Sequence, residues 1–143
     1  MDELLQFLLQ HGSFLYKEYG CKFIDSRVSK SFGGDAYLIL ATDKVRFRMV
    51  RDRAQLFGDF QKPGSTAEDE AFSIDIIRMH ITGEADYNTS LNTKNAMFVK
   101  DHFRNIENMF DSGSFLETRK QLNYLKAERA KKLFGKKSMK KGT

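Results

Sequence analysis

Between Lys44 and Val50, in the run KVRFRMV, charge and apolarity alternate residue by residue. On a helix, both sets would scatter around the axis. On an extended strand, Val45, Phe47 and Met49 line one side and Lys44, Arg46 and Arg48 the other. A strand with one packed and one wet face needs neighbours to hydrogen-bond it and a second layer to cover its apolar side. The flanking residues supply the neighbours. CKFIDSRVSK reads as a strand and Ser31-Phe32-Gly33-Gly34 as a turn, because paired glycines accept positive φ. AYLILA is apolar on both faces, which places it centrally. Thr42-Asp43-Lys44 and Asp52-Arg53 form further turns, and QLFGDFQ is the last strand. Such short connections join antiparallel neighbours, so residues 21–61 are expected to form a four-stranded antiparallel β-meander.

Helical periodicity surrounds this block. From Asp2 to Tyr19, Leu4, Leu5, Leu8, Leu15 and Tyr19 share a stripe, with Asp2 and Glu3 at the positive end of the helix dipole. Gly12 is a weak point inside this helix and Gly20 its stop. QKPGSTAEDE, with the single Pro, is a surface loop. A helix follows at about Ala71 to Thr82, with Phe72, Ile76, Ile77 and Ile81 inward and Gly83 as its end. The next, in KNAMFVKDHFRNIENMF, places Ala96, Val99, Phe103, Ile106 and Phe110 on one face. The last opens with Ser114-Phe115-Leu116-Glu117, a capping-box pattern, and runs Phe115, Leu122, Leu125, Arg129 and Leu133 along one face, with Glu128 and Lys132 spaced to pair. The expected fold is α+β: an N-terminal helix, the four-stranded meander, then three helices packed on the sheet. Residues 1–135 form one domain and residues 136–143 a basic flexible tail.

Composition narrows the function classes. The 41% hydrophobic and 30% charged content belongs to a globular chain. The single cysteine, Cys21, permits no internal disulfide, and the opening MDELLQFLLQHG lacks the basic start of a secretory leader. No apolar run approaches a membrane span, so a cytoplasmic protein is expected. Residues 1–110 carry 14 Lys/Arg against 16 Asp/Glu, whereas residues 111–143 carry 10 against 3. The basic balance thus sits in the C-terminal helix and tail, and the body is slightly acidic. That weakens a reading of the whole chain as a nucleic-acid binder.

Catalytic patterns are weak. His11, His80 and His102 fall in three different helices, outside any HExxH or Cys/His cluster. Gly33-Gly34 joins two strands, not a strand and a helix as phosphate loops do. There is no GxSxG elbow. Cys21 reads as a small buried hydrophobe, and Asp52 and Asp59 as turn and surface carboxylates more than an acid–base dyad. No catalytic residue, cofactor or metal is expected.

The unusual feature is the cation density of one strand end: Lys44, Arg46 and Arg48, followed by Arg51 and Arg53. Acids on neighbouring strands, such as Asp25 and Asp59, allow it to be an ordinary solvated face. As a site, it is a basic docking surface for an acidic protein patch or a phosphate backbone. Single-stranded nucleic acid would call for aromatics on the same face, and Phe47 points to the other.

The stretch Val45-Arg46-Phe47-Arg48-Met49-Val50-Arg51-Asp52-Arg53, with Gln55 beyond it, resembles a strand–turn–strand signature of small bacterial immunity proteins from polymorphic-toxin and contact-dependent inhibition loci. The resemblance spans about residues 20–61 and departs at Ala54, where a turn glycine is usual, and at Gly58. It implies a non-enzymatic protein that binds a cognate toxin domain and neutralises it by protein–protein interaction. The expectation from another class is a small nucleic-acid-associated module using the basic strand face and the basic C-terminal helix.

Overall fold

A computed structural model describes residues 1–29, 35–64 and 70–135. The expected Gly33-Gly34 turn, most of the polar loop after Gly64 and the tail 136–143 lie outside the described residues. The strands are β1 (Lys22–Val28), β2 (Ala36–Ala41), β3 (Arg46–Asp52), β4 (Gln55–Gln61) and β5 (Phe72–Ser73), paired antiparallel in the order β1-β2-β3-β4-β5. The helices are α1 (Asp2–His11), α2 (Phe14–Lys17), α3 (Ile74–Thr82), α4 (Thr93–Phe110) and α5 (Phe115–Ala130), the last continued by a π-helical turn over Lys131–Gly135.

The α+β class holds, but the sheet has five strands, not four. Phe72-Ser73 adds a short edge opposite Asp59 and Phe60 before the helix begins at Ile74. Two residues carry no readable period, and they lie inside a run whose apolar spacing suits a helix. Ser73 is extended (φ −68°, ψ 160°), and its hydroxyl donates to the Asp75 carboxylate.

The cross-strand register explains where the core sits. Leu40, Phe47, Phe60 and Phe72 are consecutive partners across β2 to β5, so all four rise from the same face. Each is buried, as are Leu38 and Met49 one step along. Leu4 and Leu8 of α1, Ile76 and Ile77 of α3, Val99, Phe103, Ile106 and Phe110 of α4, and Phe115 and Leu122 of α5 close over them in one cluster. Phe supplies the bulk. Ring centroids stand 4.8 Å apart for Phe47–Phe60, 6.4 Å for Phe60–Phe110 and 5.5 Å for Phe110–Phe115. Such spacing is within the favourable aromatic range.

Local expectations fare unevenly. Gly83 ends α3 in the left-handed conformation (φ 78°), donating to the Met79 carbonyl. The long first helix breaks at Gly12 into α1 and α2, and within α1 Leu4 and Leu8 are buried while Leu5, about a third of a turn round, is 41% exposed. The capping box does not form: Ser114 has helical-region backbone angles and no side-chain cap bond. The described caps include Asn92 instead, whose side chain accepts from the Asn95 N–H at the start of α4. Leu133 is 46% exposed rather than packed, and Glu128 pairs with Lys131, 3.6 Å away, where Lys132 was expected.

Polar groups buried under the helices are paired. Arg78 contacts Asp86 at 2.6 Å and the Asn95 side chain, and its guanidinium lies over the Phe98 ring. Burial alone would push the Asp86 carboxyl up, but the Asn88 N–H and the Arg78 guanidinium outweigh it and hold the group below its ordinary range. Asp75, with a fully buried side chain, accepts from Arg129 of α5 at 2.9 Å, tying the last helix to the start of α3.

Candidate functional site

The helices cover one face of the sheet, and the other face carries the candidate site. Its side chains can be read as rows running across the strands. Lys22, Ala41, Arg46 and Gln61 form the first row, and Asp25, Ile39, Arg48, Asp59 and Ser73 the second. Arg27, Tyr37, Val50 and Phe57 form the third.

In the middle row, Arg48 grips Asp59 with both arms of its guanidinium, Nη2 at 2.7 Å and Nε at 3.1 and 3.2 Å. Their side chains are only 18% and 17% exposed, so the pair is screened less than an open surface bridge. Beside it, Ile39 is buried yet stands outside the core cluster. At the edge, the Tyr37 hydroxyl donates to Asp25, and that bond raises the phenol above its ordinary range. The third row is apolar and aromatic in its centre, with Tyr37, Val50 and Phe57 all half-buried. The face is therefore a mixed surface: an aromatic–aliphatic band, an anchored ion pair, and cations at Lys22, Arg27 and Arg46.

The five cations singled out from the sequence do not form one row. Arg46 and Arg48 project from the uncovered face, roughly 7 Å apart along β3. Lys44 does not belong to the strand. It lies in the turn closed by the Thr42 N–H to the Val45 carbonyl, where its own N–H donates to the Thr42 hydroxyl. Arg51 has the opposite parity and points to the helical side, where it pairs with Glu3 of α1. Arg53 sits at the tip of the β3–β4 hairpin with φ 51°, its N–H donating to Asp35. Alternation assigns parity correctly, but it shows neither where a strand starts nor which partner awaits on each side.

Sequence reading also missed Tyr37 and Phe57, which share this face with Arg46. The search for interleaved aromatics stayed within β3, whereas the interleaving crosses strands, through the Tyr37–Val50 and Val50–Phe57 pairings. Alternation within AYLILA and QLFGDFQ, combined with a register, could have found them.

Other candidates stay apart. Asp52 and Asp59 are separated by the Val50–Phe57 row, so they make no dyad. Among the described residues, no group of three or more His, Cys, Asp or Glu is placed to hold a metal ion. Cys21 is buried, and burial, followed by the Glu107 charge, pushes its thiol up to about 12. That is the opposite of what a nucleophile needs. A groove of about 340 Å³ lies between α3 and α5, against Met79, His80, Lys120, Gln121, Tyr124 and Leu125. Burial lowers the His80 imidazole below its ordinary value.

Compared with models of known protein families, with curated proteins and with solved structures, the chain matches none. No helix among the described residues is long and apolar enough to cross a membrane.

Proposed function

We propose that this chain is a binding protein that neutralises a cognate bacterial toxin domain, and that the uncovered sheet face is its docking surface. One observation carries the reading: the half-buried band Tyr37–Val50–Phe57 lies beside the Arg48–Asp59 pair, with Arg46 one row beyond that pair, on a face outside the core cluster. Aromatic anchors beside arginine are what protein–protein hot spots are made of, and fixed charges add selectivity and speed of encounter. The resemblance of residues 20–61 to immunity proteins supports the same reading and supplies the class of partner.

The test uses the toxin domain encoded beside this chain. Arg46→Glu and Phe57→Ala should each weaken binding about tenfold or more by calorimetry, with an unchanged circular dichroism spectrum. Arg48 is a poor probe, since reversing it strands Asp59. If both variants bind and protect cells as the wild type does, the docking surface lies elsewhere.

A second reading has one observation in its favour. Tyr37 and Phe57 stand on the same face as Arg46, the arrangement that single-stranded nucleic acid requires. Asp25 and Asp59 on that face oppose it. Anisotropy of a labelled oligonucleotide across a salt series separates the two: steep salt-dependent binding supports the nucleic-acid module, and its absence supports the toxin-binding protein.

A further inference from the structure

β1 is an edge strand exposed along its whole length. Every residue from Lys22 to Val28 is exposed, including Phe23 at 55%, Ile24 at 44% and Val28 at 54%. None of these residues joins the core cluster; Phe23 reaches the helical layer only at its margin, its ring centroid 6.0 Å from that of Tyr16. An uncovered edge with apolar side chains invites another strand unless it is blunted.

The backbone shows which groups face outward. The Ser29 N–H donates to the Asp35 carbonyl at 2.7 Å, so the main-chain groups of Ser29 and, by alternation, of Arg27 turn toward β2. Those of Ser26 and Val28 face away. Among the described residues, the Ser26 N–H accordingly donates to a local acceptor, Asp25 Oδ1 at 2.9 Å.

We infer that β1 pairs antiparallel with β1 of a second copy of this chain about a two-fold axis at Ser26. In an antiparallel ladder, outward-facing residues must oppose outward-facing residues. That parity rule leaves three close registers. One sets Asp25 against Asp25 of the second copy, and another sets Arg27 against Arg27; both are repulsive. The third sets Ser26 against Ser26 and Asp25 against Arg27 twice over, within the regular stretch Asp25–Val28 that follows a β-bulge between Phe23 and Asp25. Of the three, charge is self-complementary in this register alone. Because the contact is isologous, it closes at two copies and consumes both edges. The inference rests on β1 and is independent of the toxin-binding reading.

Sedimentation velocity of the full chain, up to about 200 µM, tests it, since protomer concentration drives the equilibrium. The wild type should dimerise with rising concentration. Asp25→Arg and Arg27→Asp should each weaken the dimer about tenfold or more, because two attractive pairs become two repulsive ones. An equimolar mixture of the two single variants should restore it, since every reversed position then faces its opposite charge. Ser26→Pro should give a monomer, as it removes an outward N–H without touching the β1–β2 ladder. A wild type that stays monomeric throughout, a mixture no tighter than the single variants, or a Ser26→Pro dimer of wild-type strength would each overturn the inference.

Discussion

The two faces of β3 lie one residue apart in sequence and do different work. On the helical side, Val45, Phe47 and Met49 are 1–4% exposed. On the other side, Arg46, Arg48 and Val50 are only half-buried and stand outside the core cluster. Burial on the first face should dominate stability. Substitutions on the second face, away from the Arg48–Asp59 pair, should change stability far less.

The largest expected effect tests the covered face. Phe47→Ala removes a ring tilted against Phe60 at a centroid distance of 4.8 Å and should cost about 3–5 kcal/mol in urea unfolding. A loss under about 1 kcal/mol would mean the face assignment is inverted. Next comes Gly58, which opposes Met49 in the register. A Cβ there would stand 2.8 Å from Ile74 Cδ1, 2.9 Å from Phe47 Cε1 and 3.0 Å from Leu91 Cδ2. Gly58→Ala should therefore destabilise by about 1–3 kcal/mol through overpacking. A neutral result would show that the helical layer yields easily.

The β3–β4 hairpin tip sharpens the comparison from outside both faces. Arg53 and Ala54 hold φ values of 51° and 66° in a two-residue turn, a geometry that favours glycine. Ala54→Gly should stabilise by about 1 kcal/mol, read as a higher denaturant midpoint with unchanged slope. The smallest effect belongs to the uncovered face. Arg46→Ala should shift stability by no more than about 0.5 kcal/mol. A shift as large as that of Phe47→Ala would remove the distinction between the faces.

The strongest local periods were readable in advance. The alternation of KVRFRMV placed Phe47 and Met49 in the core, and the five apolar positions expected on one face of α4 are all buried. Gly12 and Gly83 act where they were expected to weaken and to stop a helix. Signals that needed a partner's position failed. Glu117 makes no capping box, because Ser114 adopts helical-region angles instead of the extended ones the motif needs. Leu5, expected on the stripe, is 41% exposed because the helical layer meets α1 along Leu4 and Leu8.

The sequence by itself determined which residues could share a face, because side-chain direction follows from the local backbone period alone. It determined the α+β class, the antiparallel pairing of the long strands and the shared face of Arg46 and Arg48. Tertiary structure decided what each face meets. Coverage depends on how far the helices reach across the sheet, a property of the whole packing that no short window contains. Thus β1, whose strand pattern was plain, stands uncovered at the edge, and Arg51 is drawn to Glu3, 48 residues away in sequence, while Arg46 is left on the open face.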